Sequence, residues 1–97
     1  MPNTQPRHLT RCHCLYSGRV QGVGFRYTAR NLALNFDVTG FVRNLPDGRV
    51  ELVVEGTARE VEAFLSALSE RMTDFVRRAE KHAEPATGQF QAFQIAY

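Results

Sequence analysis

The segment Gly18-Arg19-Val20-Gln21-Gly22-Val23-Gly24-Phe25-Arg26 places three glycines and two arginines in nine positions. Glycines this dense weaken any regular element and mark tight turning or close backbone approach. Set between a strand and a helix, such a run turns successive backbone N–H groups toward one point. That arrangement binds anions, and the positive end of the following helix reinforces it. Arg26, in the first helical turn, brings a planar, permanently charged fork to the same place. The nucleotide-binding versions of such a loop do not fit. Gly22-Val23-Gly24 lacks the third glycine and the later ribose-binding acid of a dinucleotide site, and the chain holds no Gly-Lys-Ser/Thr run. The plain alternative is a tight turn beside a solvated arginine.

Asn44 is the second candidate, just before Leu45-Pro46-Asp47-Gly48. An asparagine there serves as a turn former in its own right. Topology alone leaves two placements for it, beside the glycine loop or remote from it. Cys12-His13-Cys14 holds both cysteines of the chain. Side chains two apart on a strand run parallel, which is poor disulfide geometry. Zinc would need four ligands, and no second cysteine pair or His-x-x-x-His group follows. These read as small thiols on an inward strand face. His8, His13 and His82 show no relay spacing and read as structural or solvated. Met72 reads as peripheral packing, Arg43 as a solvated strand arginine and Tyr97 as packing at the sheet edge.

Hydrophobic spacing supplies the elements that must position these residues. Cys12, Cys14, Tyr16, Gly18 and Val20 alternate as one face of a strand. From Phe25 the period becomes helical, with Phe25, Ala29, Leu32, Ala33 and Phe36 on one stripe. Asp37 to Asn44 and Arg49 to Glu55 form a hairpin about the Pro46-Asp47-Gly48 turn, with Val50, Leu52 and Val54 facing inward. Thr57-Ala58-Arg59-Glu60 is a capping box that opens a helix carrying Val61, Phe64, Leu65 and Leu68. Residues 71 to 84 alternate poorly and carry a strand over about 75–83. Pro85 to Gly88 reads as a turn, and Phe93, Ile95 and Tyr97 alternate as a final strand. The order β-α-β-β-α-β, with an extra strand at the end, is the ferredoxin-like α+β arrangement: an antiparallel sheet with two helices on one face.

With 97 residues and 43% hydrophobic content, the chain suits one domain. The expected division is a loose tail over residues 1–9 and a single domain over 10–97. No apolar run approaches the ~20 residues that span a bilayer. The N-terminus has no secretory pattern, so a cytoplasmic monomer without membrane contact is expected. The net charge of +2 is too small to announce a nucleic-acid partner. An RNA-recognition domain shares the element order, but Phe41 puts the one candidate stacking ring on the wrong strand, so no nucleic acid is expected. The distribution of charge says more. Residues 1–36 carry five arginines and no acid, whereas residues 37–97 carry seven basic against ten acidic side chains. The N-terminal third is therefore a region of positive potential suited to a small anion.

Gly18-x-Val20-Gln21-Gly22-Val23-Gly24-Phe25-Arg26 closely resembles the signature of the acylphosphatases, and so does Gly40-Phe41-Val42-Arg43-Asn44-Leu45-Pro46-Asp47-Gly48-x-Val50. The resemblance continues through Glu55-Gly56, the capped helix and Phe93-x-Ile95. Phe41 stands where many members have tryptophan, and residues 70–84 match poorly. The resemblance implies a small, metal-independent hydrolase without cofactor that cleaves acyl phosphates to a carboxylate and phosphate. It implies that Arg26 binds the phosphate, that Asn44 orients the attacking water, and that Gln21, Gly22, Val23, Gly24 and Phe25 form the backbone cradle.

The chemistry is consistent with so few residues. A carboxylate leaving group needs no general acid, and positioning plus charge stabilisation dominate phosphoryl transfer. The alternative is a non-catalytic acylphosphatase-like module that binds an anion or carbamoyl phosphate, as in larger carbamoyl-transfer maturation proteins, acting through a partner.

Overall fold

A computed structural model of the chain describes residues 8–97, so the tail expected over residues 1–9 lies outside the described residues except for His8 and Leu9. Strand β1 (Leu9–Gly18) leads through the glycine loop into helix α1 (Phe25–Ala33). Strands β2 (Val38–Asn44) and β3 (Val50–Thr57) form the hairpin, and helix α2 (Ala58–Arg71) follows without a gap. Strands β4 (Val76–Pro85) and β5 (Phe93–Ile95) complete one sheet of order β4-β1-β3-β2-β5. The first four strands pair antiparallel as expected. The extra strand β5 runs parallel to β2, so the sheet as a whole is mixed.

Each element forms for a local reason. In β1, Cys14 and Tyr16 are buried while His13 turns outward to donate from Nε2 to the Glu51 carboxylate, 2.7 Å away. The inward residues of β3, Val50, Leu52 and Val54, are fully buried. Helix α1 presents Phe25, Ala29 and Ala33 to the same layer, and α2 presents Val61, Phe64, Leu65 and Leu68. Burying the Val, Leu and Phe side chains among these stabilises by roughly 1.5–3 kcal/mol each, which fixes the register of both helices on the sheet. Met72 belongs to this core rather than to its edge, with 3% exposure. The capping box forms only by half. Thr57 Oγ1 accepts from the Glu60 N–H at 3.3 Å, but the Glu60 carboxylate accepts from the Asp37 N–H at 2.7 Å and so ties α2 to the start of β2.

The helix-free face is not simply solvated. Between β4 and β5, residues 86–92 cross this face from one sheet edge to the other. Glu55 accepts from Thr87 N, Thr87 Oγ1 and Gly88 N at 2.9, 2.9 and 3.0 Å. Phe90 packs on Phe41, and the Gly40 N–H donates to Ala92 O at 3.0 Å. Cys12 and Cys14 lie side by side as free thiols, with Sγ atoms 3.6 Å apart. Hydrogen bonding from Cys14 pulls the Cys12 pKa down to about 7, while Cys14 itself is pushed up.

Candidate active site

The loop between β1 and α1 is shaped by two left-handed residues. Gly22 has φ +78° and Gly24 has φ +81°, a region that side-chain-bearing residues rarely adopt. A Cβ at either position would meet nothing within 4 Å, so backbone conformation and not crowding demands glycine there. Gly24 is the N-cap of α1, and no side chain caps the helix. No acidic residue lies in the first turn, so the positive end of the helix is uncompensated.

That helix end faces a pocket of about 190 Å³ lined by Val20, Gly22, Gly24, Phe25, Arg26, Tyr27 and Asn44. Of the two placements open to Asn44, the structure shows the one beside the loop. β2 carries Asn44 to the turn end of the hairpin, opposite Val50, and the turn closes through Leu45 N to Arg49 O at 2.8 Å. Asn44 Oδ1 is buried and has no hydrogen-bond partner among the described residues. A buried acceptor left unmade costs about 1–3 kcal/mol, so this oxygen is expected to meet a donor brought from outside.

Arg26 is half-buried, and among the described residues it joins no ion pair with a side chain. Its guanidinium carbon sits 5.2 Å from the centre of the Tyr97 ring. Tyr97 therefore does not pack at the sheet edge. It is 90% exposed and stacks over Arg26, carried there because Ala96 N donates to Val42 O and continues the β5 path alongside β2. Sequence spacing could not show this contact, since it depends on the parallel placement of β5.

Gln21 and Val23 contribute differently from Gly22, Gly24 and Phe25. Neither lines the pocket. Val23 packs against the core, and the Gln21 amide Nε2 donates to Leu45 O at 2.8 Å and Arg49 O at 2.9 Å. Arg43 is anchored rather than free, with Nε 2.6 Å from Glu51 Oε1. Burial alone would raise the Glu51 pKa, but His13 and Arg43 outweigh it and hold the carboxyl below the usual range. Among the described residues no three His, Cys, Asp or Glu side chains gather at one point, and no helix is long and apolar enough to cross a membrane.

The fold and pocket together define a ferredoxin-like α+β domain whose pocket gathers an arginine and an uncapped helix end. Comparison with known proteins narrows this class. The acylphosphatase family model matches residues 12–95. The acylphosphatase of Trichormus variabilis is 56% identical over 66 residues, a match spanning 67% of this chain and 65% of that protein. That of Chloroflexus aurantiacus is 46% identical over 90 residues, spanning 92% of this chain and 98% of that protein. The crystal structure of the acylphosphatase from Bacillus subtilis superposes with a TM-score of 0.81 at 29% identity, covering 91% of this chain and 99% of that one. The chain belongs to the acylphosphatase family, a family of hydrolases.

Proposed function

We propose that this protein hydrolyses acyl phosphates, with Arg26 and the loop backbone holding the phosphoryl group and Asn44 orienting the water. The observation that carries this reading is the unpartnered Asn44 Oδ1 in the same pocket as Arg26 and the N-terminus of α1. In this mechanism the guanidinium and the N–H groups around Gly22, Gly24 and Phe25 surround the phosphoryl oxygens. The water hydrogen-bonds to Asn44 Oδ1 and attacks phosphorus in line. The P–O bond to the acyl group breaks, and the carboxylate leaves with its electron pair. Both protons of the water end on the phosphate, one by transfer to a phosphoryl oxygen. Stabilisation by preorganised donors is the main term in such a step.

The test is hydrolysis of benzoyl phosphate by the purified protein in EDTA, beside Arg26→Ala and Asn44→Ala. Turnover lost in both folded variants supports the reading. Near-wild-type turnover in folded Arg26→Ala rejects it. Phosphate binding without turnover would favour the non-catalytic anion-binding module. The proposal includes a monomer in the cytoplasm. Supporting it, Cys12 and Cys14 are free thiols, and the exposed large apolar side chains Leu9, Tyr27, Leu34 and Tyr97 are scattered along the chain.

A further inference from the structure

Gln21 does not line the pocket, and its side chain reaches instead to the hairpin turn after Asn44. Both protons of its amide are used, one on Leu45 O and one on Arg49 O. These carbonyls already close the hairpin turn: Arg49 O also accepts from Leu45 N at 2.8 Å, and Leu45 O from Gly48 N at 3.1 Å. The amide therefore spans the base of the turn that immediately follows Asn44. At its other end Gln21 is covalently joined to Gly22, the first pocket-lining glycine of the loop.

We propose that Gln21 is a positioning residue whose side-chain amide sets the separation between the phosphate cradle and Asn44, and so governs turnover without touching substrate. This inference rests on the roles assigned above to Arg26 and Asn44. The water on Asn44 must meet phosphorus within a few tenths of an ångström, and a misplacement of about 1 Å costs on the order of 100-fold in rate. The β2–β3 ladder fixes the backbone of Asn44 against Val50, and the β1–β3 ladder holds Tyr16 against the same Val50, but neither ladder extends past Gly18 into the glycine loop. The Gln21 amide makes that link.

The experiment uses Gln21→Met, which keeps length and shape and removes both donors. The expected result is a fall in kcat of roughly 10- to 100-fold, with KM and the inhibition constant for inorganic phosphate moving less than about threefold. The same substitution placed in Asn44→Ala should lower the residual rate little further, because there is then no Asn44 to position. Gln21→Asn keeps the amide but is one methylene short, and it gives the same readouts if the methionine variant is too unstable. Wild-type kcat in a folded variant would overturn the proposal. So would a phosphate inhibition constant that weakens in step with kcat, or full additivity with Asn44→Ala. Failure of the underlying reading looks different: Asn44→Ala alone would then turn over at near the wild-type rate, which would overturn this inference along with it.

Discussion

Asn44 and Glu55 stand at opposite ends of the β2–β3 pairing, and each brings a polar oxygen out of solvent. Asn44 Oδ1 has no hydrogen-bond partner among the described residues. Glu55 accepts three hydrogen bonds from Thr87 and Gly88, and Arg11 Nη1 lies 3.6 Å from its Oε2. The arginines differ in the same sense. Arg11 has Glu55, Glu84 at 3.2 Å and the Phe90 ring, whereas Arg26 has only the Tyr97 ring among the described residues. One end commits its carboxylate to internal partners and holds the crossing segment 86–92 to the sheet, although Arg11 Nε there makes no hydrogen bond among the described residues. The other keeps its donors and acceptor uncommitted, which is what a site awaiting an anion and a water requires. On the proposed function, stability and activity are allotted to different ends of one hairpin.

The largest expected effect breaks the uncommitted end. Removing one preorganised donor or acceptor at the reacting centre typically costs about 2.7–4 kcal/mol, or 100- to 1000-fold in turnover. Both Arg26→Ala and Asn44→Ala should show losses of at least this size against benzoyl phosphate. Urea unfolding of Asn44→Ala should show unchanged or slightly raised stability, because the variant loses an unsatisfied buried oxygen rather than a bond. A clear loss of stability in Asn44→Ala would mean that its oxygen is bonded internally after all.

Glu55→Ala should do the reverse. It strips three charge-assisted hydrogen bonds, partly replaced by water because Thr87 and Gly88 are exposed, so a loss of about 2 kcal/mol is expected. Turnover of the folded fraction should be unchanged. If kcat drops as far as it does in Asn44→Ala, the two ends are coupled and the separation fails.

A smaller effect lies in the pH dependence. Burial pushes the Glu55 pKa up, but the N–H groups of Thr87 and Gly88, the Thr87 hydroxyl and Arg11 outweigh it and hold it below its ordinary 4.5. A depressed folded pKa contributes stability that is fully present above the unfolded value and is lost as pH falls through the folded one. Melting temperature should therefore decline below about pH 4.5, and Glu55→Gln should flatten that decline. Glu51, held low by His13 and Arg43, keeps part of the slope in the variant. An acid limb identical in Glu55→Gln and wild type would remove Glu55 from the account.

The uncommitted end was far more legible in the sequence than the Glu55 end. Gly22, Gly24, Arg26 and Asn44 carry their signal locally, in backbone demands and in two spaced motifs. The alternation of Val50, Leu52 and Val54 and the Thr57 cap were equally local. β4 was blurred because it is an edge strand paired only to β1, and most of its residues are exposed, so no core face imposed a period. Glu55 stood in the sequence only as the end of a strand and as part of the resemblance, with no partner assigned. Its burial depends on a chain segment more than 30 residues later, which no periodicity encodes. The Gln21 and Tyr97 contacts escaped for the same reason, since each joins elements that only the assembled sheet brings together.

Two of the four arginine–ring contacts among the described residues, Arg26 over Tyr97 and Arg11 over Phe90, give the finest test of the contrast. A cation over an exposed aromatic face is worth about 0.5–1 kcal/mol, or roughly two- to fivefold. At the pocket, the Tyr97 ring lies 5.2 Å from the guanidinium carbon of an arginine with no ion-paired side chain among the described residues to hold it. Tyr97→Ala should therefore lower kcat/KM two- to fivefold and leave the unfolding midpoint almost unmoved, while Tyr97→Phe, which keeps the ring, should behave as wild type. At the other end, the Phe90 ring lies 5.8 Å from Arg11 and also packs on Phe41, so Phe90→Ala should reduce stability and spare kcat/KM. Measuring both variants for both quantities gives four numbers. The contrast stands only if the activity loss falls to Tyr97 and the stability loss to Phe90. A loss of both in either variant would show that the strip from β5 to Arg26 and the crossing segment act as one unit.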